Sequence, residues 1–146
     1  MSANSLGSIR DALSTGVEKR KHLLCADDNE DTRTMMRVLL EMSGYQVTTT
    51  GSIDDALSLI KKGGFDLFIL DGIYADGFGV DLCEQIRRFD SQTPIVFLSG
   101  LAYESDIAKG MKAGAQAYLT KPVNMEVLEQ TIAGLTYAPA PLPSLA

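Results

Sequence analysis

Gly63-Gly64-Phe65-Asp66-Leu67-Phe68-Ile69-Leu70-Asp71-Gly72 is the stretch on which the fold turns. Leu67 to Leu70 run apolar without a break, an acid stops them, and glycines punctuate both sides. A short unbroken apolar run between breakers predicts a strand buried on both faces. Such a strand belongs inside a parallel sheet. In open α/β sheets ligands bind outside the carboxyl ends of the strands. Asp71 is therefore the candidate reactive residue.

Working outward, the same grammar repeats. His22-Leu23-Leu24-Cys25-Ala26 reads as a first strand ending at Asp27-Asp28, with Asp28 or Asn29 capping a helix from Glu30 to Met42. Its apolar stripe is read as Met35, Val38, Leu39 and Met42. Glu30 and Asp31 stand in the first turn, where the helix dipole favours acids, and Gly44 ends the helix. The β-rich run Tyr45 to Thr50 precedes a second helix marked by Ile53, Ala56, Leu57 and Ile60. After Asp71 comes a glycine-rich loop, residues 72–79, then a helix from about Val80 to Phe89. Pro94-Ile95-Val96-Phe97-Leu98 is a fourth strand ending at Ser99-Gly100. Ile107, Ala108 and Met111 mark a weaker helix ending at Gly114. Gln116 to Thr120 is a fifth strand ending at Lys121-Pro122, and Asn124 caps a last helix with Val127, Leu128, Thr131, Ile132 and Leu135. Strand and helix thus alternate five times, which implies one α/β domain: a parallel sheet with helices on both faces and right-handed crossovers.

The domain is expected over residues 21–136. Residues 1–20 form an N-terminal extension, a mobile tail or a short helix with Ile9, Ala12, Leu13 and Val17 on one side. Residues 137–146 are a proline-rich tail that cannot form regular structure. The chain has 146 residues, 45% of them hydrophobic, which suits one domain with a real core. Lys+Arg 13 against Asp+Glu 19 gives a net charge of −6, which argues against nucleic acid or an anionic membrane as the main partner. Cys25 and Cys83 show no metal or redox spacing, so a reducing compartment is the default. No leader-like apolar core and no run approaching the ~18 apolar residues of a membrane span occurs, so a cytoplasmic protein is expected.

The strand ends carry the chemistry. The first supplies Asp27 and Asp28, the third Asp71, the fourth Ser99 and the fifth Lys121. A parallel sheet places all of them on one edge. Taken singly they read as caps and loop residues; their joint placement is the specific signal. Crowded carboxylates repel, and burial raises the cost. A divalent cation resolves this, and an all-oxygen ligand set favours Mg²⁺, with Mn²⁺ as the alternative occupant. A carboxylate nucleophile beside Mg²⁺ is equipment for phosphoryl transfer, with Lys121 and Ser99 able to contact phosphoryl oxygens.

These residues also carry a resemblance. Leu-Leu-Cys-Ala-Asp27-Asp28-Asn, Phe-Asp-Leu-Phe-Ile-Leu-Asp71, Phe-Leu-Ser99-Gly and Gly114-Ala-Gln-Ala-Tyr118-Leu-Thr-Lys121-Pro122 resemble the response-regulator receiver domain of two-component signalling, from about His22 to Thr136. The resemblance implies a flavodoxin-like, doubly wound five-stranded parallel sheet of order 2-1-3-4-5. It implies Asp71 as phosphoacceptor, Asp28 and Asp71 as direct Mg²⁺ ligands, Asp27 acting through water, and the backbone carbonyl of Ile73 as a further ligand. Lys121 would contact the phosphoryl group, Ser99 and Tyr118 would be the switch pair, and the bond to Pro122 would be cis. The donor would be a phosphohistidine on a sensor histidine kinase or histidine phosphotransfer protein. Output would pass through a partner protein or a phosphorelay, with no DNA binding in cis, no membrane, and a homodimer open as a possibility. His22, the only histidine, is read as structural.

Two positions depart from the family pattern. Ala75 stands where proline is usual, which puts loop rigidity in doubt, and Gly100 stands where alanine is commoner. Ile73 and Leu101 flank the path of an attacking water and cannot orient one, so slow self-dephosphorylation is expected. Two other functions compete. A receiver-like module could act without phosphate, although the full acid set argues against it. A Mg²⁺-dependent aspartyl-nucleophile phosphatase, as in the haloacid-dehalogenase-like enzymes, would need a second acid two residues after the nucleophile. Ile73 stands there instead.

Overall fold

The computed structural model describes residues 20–137. The strands that build the sheet are β1 (His22–Ala26), β2 (Gln46–Thr50), β3 (Leu67–Leu70), β6 (Ile95–Ser99) and β7 (Ala117–Thr120). All pair in parallel, in the order β2-β1-β3-β6-β7. The helices are α1 (Glu30–Met42), α2 (Ile53–Lys62), α3 (Gly79–Arg87), α4 (Glu104–Ala113) and α5 (Met125–Thr136). This is the doubly wound fold expected from the alternation, with β3 at the centre.

Successive strand residues point to opposite faces, so each central strand feeds two cores. Leu24, Ala26, Phe68, Leu70, Ile95 and Phe97 pack against Ile53, Ala56 and Ile60 of α2 and Leu82 and Ile86 of α3. Leu23, Cys25, Leu67, Ile69, Val96 and Leu98 pack against Met36 and Leu40 of α1 and Leu128 and Ile132 of α5. Truncating one of these buried side chains, such as Phe97, to alanine should cost about 3–5 kcal/mol.

Helix α1 buries a different stripe from the one expected. Met36 and Leu40 are inaccessible, while Met35, Val38 and Met42 are exposed. Apolar residues stand in adjacent pairs, Met35-Met36 and Leu39-Leu40, so two stripes share helical spacing and periodicity alone does not choose between them. Asn29, rather than Asp28, caps the helix, accepting from the Thr32 N–H at 2.8 Å. Ser52 caps α2 and Asn124 caps α5 in the same way.

Residues 72–79 are not a plain loop. Ile73–Tyr74 (β4) and Gly77–Phe78 (β5) form a small antiparallel ribbon, with Ile73 opposite Phe78 and Tyr74 opposite Gly77. Gly77 has φ +151°, where a side chain would be strained. Asp76 sits in the turn and reaches α2, its Oδ1 accepting from the Ile53 N–H at 3.1 Å and its Oδ2 from the Asp54 N–H at 3.2 Å. The doubt raised by Ala75 is thereby removed: cross-strand pairing and a side-chain cap hold the segment where proline would have stiffened it.

The imidazole of His22 lies at the opposite edge of the sheet from the acids, between the Gly64 carbonyl (3.1 Å) and the Thr48 hydroxyl (2.7 Å). The N-terminal stripe and the proline-rich tail lie outside the described residues.

Candidate functional site

Sheet register brings the candidate residues together. Each is fixed by the last rung of a ladder: the Asp27 N–H donates to Thr50 O at 3.0 Å, the Asp71 N–H to Ala26 O at 3.1 Å, and the Lys121 N–H to Ser99 O at 2.8 Å. The backbones of the first, third and fifth strand ends therefore sit at set heights on one edge.

Side chains converge from there. Lys121 Nζ donates to Asp27 Oδ2 at 2.8 Å and to Asp71 Oδ2 at 3.1 Å. Asp27 Oδ1 accepts from the Asn29 N–H at 2.9 Å, and Asp71 Oδ1 from the Gly72 N–H at 2.6 Å. Arg33 Nη1 donates to the Asp27 carbonyl at 2.8 Å. Asp27 is buried, Asp71 partly buried and Asp28 exposed, and a carboxylate oxygen from each lies within 4.8 Å of the others. Asp28, Asp71, Ile73, Ser99, Gly100, Leu101 and Lys121 line a cleft of about 350 Å³.

Electrostatics match the crowding. Burial raises the pKa of Asp71 above the ordinary carboxylate range and the Asp27 charge adds to this, while Lys121 and the Gly72 N–H pull it back only in part. Burial acts to lower the pKa of Lys121, but its bonds to Asp27 and Asp71 outweigh that and raise it. One ammonium thus serves two carboxylates, with Asp28 facing solvent. An all-oxygen cluster with spare negative charge is a setting that a hard divalent cation fits.

Ser99 is fully buried, and its Oγ accepts from the Leu101 N–H at 3.0 Å. Tyr118 donates its hydroxyl to the Leu101 carbonyl at 2.6 Å, and its ring stacks on Phe97 with centroids 5.3 Å apart. Leu101 is therefore the joint between Ser99 and Tyr118. The Lys121–Pro122 peptide bond is cis.

Sequence reasoning missed some residues that shape this site. A Cβ on Gly72 would collide with the Ser99 hydroxyl, and one on Gly79 would collide with the Asp71 carbonyl oxygen. In the sequence Gly72 reads as a breaker and Gly79 as part of a glycine-rich loop, yet close approach is what both permit. Tyr74 falls in the glycine-rich loop of the sequence, yet it is buried, and its hydroxyl stands at the Asp71 backbone. Nothing in a single sequence marks that contact.

The family model described as the response regulator receiver domain matches residues 23–133. The chain belongs to the response regulator receiver domains. This receiver domain is 36% identical over 106 residues to the nisin biosynthesis regulatory protein NisR of Lactococcus lactis, covering 73% of the chain and 46% of that protein. It is 34% identical over 110 residues to the transcriptional regulatory protein AfsQ1 of Streptomyces coelicolor, covering 75% and 48%. The chain thus spans about half the length of these curated relatives. Among solved structures, a two-component response regulator from Clostridium difficile superposes with a TM-score of 0.78 at 26% identity, covering 82% of this chain and 98% of that one. One from Chloroflexus aurantiacus gives 0.77 at 29%, covering 82% and 99%. The receiver domain's class is that of two-component phosphoacceptor signalling. Among the described residues no helix is long and apolar enough to cross a membrane.

Proposed function

We propose that Asp71 accepts a phosphoryl group from a phosphohistidine of a histidine kinase or histidine phosphotransfer protein in the cytoplasm, with Mg²⁺ or Mn²⁺ held directly by the carboxylates of Asp28 and Asp71 and the Ile73 carbonyl and through water by Asp27. The observation that supports this most is the position of the Asp71 carboxylate: at the end of the central strand, bonded to Lys121, beside two further carboxylates and open to a cleft.

In the transfer, an Asp71 carboxylate oxygen forms a bond to phosphorus as the nitrogen–phosphorus bond of the donor breaks. The electron pair leaves on the imidazole nitrogen. The charge neutralisation that a divalent cation would supply at a phosphoryl oxygen, when held by Asp28 and Asp71, complements that of Lys121. Lys121, already 3.1 Å from Asp71, exchanges part of its carboxylate contact for a phosphoryl oxygen. Gly72, with no side chain, lets the backbone beside Asp71 lie close to the Ser99 hydroxyl, and its N–H holds the second carboxylate oxygen in orientation. Ser99 then turns its hydroxyl from the Leu101 N–H toward the new charge, which releases one of the two bonds that hold Leu101 and draws on Tyr118 through the other.

The phosphoryl group should be long-lived, because Ile73 and Leu101 line the cleft and offer an attacking water no polar side chain. Ile73 also stands where a phosphatase would need its acid, so the site holds a phosphoryl group rather than turning one over. Incubation with acetyl phosphate and Mg²⁺ should add about 80 Da to the intact protein. Asp71→Asn or chelation should abolish the adduct, and Ile73→Asn should shorten its life. An adduct that forms on Asp71→Asn at the wild-type level would remove the proposal. Millimolar Mg²⁺ should also raise Tm by binding only the folded site.

A further inference from the structure

Tyr74 is a buried polar side chain beside the acids that phosphoryl transfer, as described, does not use. It lies in β4, three residues after Asp71, with its ring only 3% exposed in the core shared by Leu24, Leu70 and Leu82. Its hydroxyl oxygen accepts from the Asp71 N–H at 2.7 Å, and its O–H donates to the Ala26 carbonyl at 2.9 Å. The Asp71 N–H also faces that same Ala26 carbonyl, at 3.1 Å. A phenol is thus inserted into the last rung between β1 and β3.

That rung is where the two acid-bearing strands end. Ala26 precedes Asp27 and Asp28, and the N–H belongs to Asp71 itself. Strand pairing alone leaves only a single, longer bond at this end. The phenol adds two bonds at one point and joins both strand ends to the ribbon. Burial raises the Tyr74 pKa far above its ordinary value, so the hydroxyl keeps its proton and remains both donor and acceptor. The ribbon cannot withdraw the ring easily, because Tyr74 pairs with Gly77 and Asp76 is tied to the start of α2.

Filling the core needs no hydroxyl here. A phenylalanine, leucine or methionine would occupy this space, and the Asp71 N–H would still have the Ala26 carbonyl. A buried phenol instead carries a desolvation cost that only these two bonds offset.

We infer that Tyr74 is a positioning residue for phosphoryl transfer, its hydroxyl setting the spacing between the Asp27-Asp28 pair and Asp71 by clamping the ends of β1 and β3. This rests on Asp71 being the phosphoacceptor. It predicts that the geometry of the acid cluster, and hence both cation affinity and transfer rate, depends on one oxygen atom that touches neither cation nor phosphoryl group.

The test is Tyr74→Phe, with two independent readouts. Mg²⁺ affinity of the unphosphorylated protein, followed by amide chemical shifts, should weaken, and phosphorylation by acetyl phosphate at saturating Mg²⁺ should slow, each by about five- to ten-fold for one lost positioning hydrogen bond. Tyr74→Leu should slow both as well and also lower Tm. If the hydroxyl merely completes the core, Tyr74→Phe keeps wild-type affinity and rate within about two-fold, and the inference is overturned. Failure of Asp71 as acceptor is a separate outcome: the wild type forms no adduct, while the effect on Mg²⁺ affinity is still read. Should Tyr74→Phe not fold, proton exchange of the wild type's Tyr74 hydroxyl decides. The Tyr74 hydroxyl proton should give its own slowly exchanging resonance with a cross-peak to the Asp71 N–H, and a hydroxyl averaged with bulk water would overturn the clamp.

Discussion

Residues 72–79 leave the sheet beside Asp71, and residues 100–103 leave it beside Ser99. The first segment is fixed from several sides. Tyr74 is buried, Ile73 and Tyr74 pair with Phe78 and Gly77, Asp76 caps α2, and the Gly79 N–H donates to Gly72 O at 2.8 Å. In the second, Gly100 has no atom within 4 Å of a would-be Cβ, Tyr103 is 79% exposed, and Leu101 is held by Ser99 and Tyr118. On the proposed function, the difference separates two tasks. A nucleophile and its metal ligands need geometry fixed to a fraction of an ångström, so their loop is over-determined. A reporter needs two arrangements of similar energy, so Leu101, between Gly100 and the start of α4, is held by a pair of side-chain bonds that a new charge can redirect.

Alanine at the two glycines should break the symmetry between these loops most sharply. Gly79→Ala drives a Cβ into the Asp71 carbonyl and the buried Phe97 ring, and should destabilise by about 3 kcal/mol or more in denaturant unfolding. Gly100→Ala meets nothing and should change stability by no more than about 0.5 kcal/mol. Equal effects would remove the contrast. Next in size is Ser99→Ala, which deprives the Leu101 N–H of its partner; a loss of about 1 kcal/mol is expected. Slower phosphorylation by acetyl phosphate should accompany it.

Gly110→Ala sharpens the reporter side. Gly110 is the one buried residue of α4, and a Cβ there would come within 2.9 Å of the Tyr118 ring. The substitution gains about 1 kcal/mol of helix propensity, so net stability should barely move. The ring should nevertheless leave its bond to Leu101, seen as shifted Tyr118 ring resonances. Unmoved resonances would show that the seat is not tight.

The smallest expected effect is a pH signature within the fixed loop. The Ile53 N–H, helped by that of Asp54 against a smaller opposing effect of burial, lowers the pKa of Asp76. A depressed folded-state pKa gives stability that is present above the unfolded value of about 4 and lost as pH falls through the folded value. Burial raises that of Asp71, so the sign reverses: its contribution is present below about pH 4 and lost as pH rises through the folded value. In Mg²⁺-free buffer, Asp76→Asn should therefore lower Tm at neutral pH, and Asp71→Asn should raise it.

Much of this was legible in the chain because it is local. Leu67 to Leu70 bounded by Gly64 and Gly72 gave the central strand, and the run-end residues Asp27, Asp71, Ser99 and Lys121 gave the edge of the sheet where they meet. What escaped depends on through-space contact. The face of α1 was ambiguous because Met35-Met36 and Leu39-Leu40 offer two stripes, and only the sheet selects Met36 and Leu40. The ribbon of residues 73–78 was hidden by glycines at 72, 77 and 79 that suggested a loose loop. Tyr74 reaches back across its own turn to a backbone donor, a contact with no spacing rule.

The acceptor itself is tested most directly by locating the phosphoryl group chemically. After incubation with acetyl phosphate and Mg²⁺, borohydride reduces an acyl phosphate to an alcohol, turning an aspartate into homoserine, and peptide mass spectrometry then finds the position. Homoserine at position 71 and nowhere else is the predicted result. Homoserine at position 27 or 28, or none at all in protein that has gained the phosphoryl mass, would contradict it.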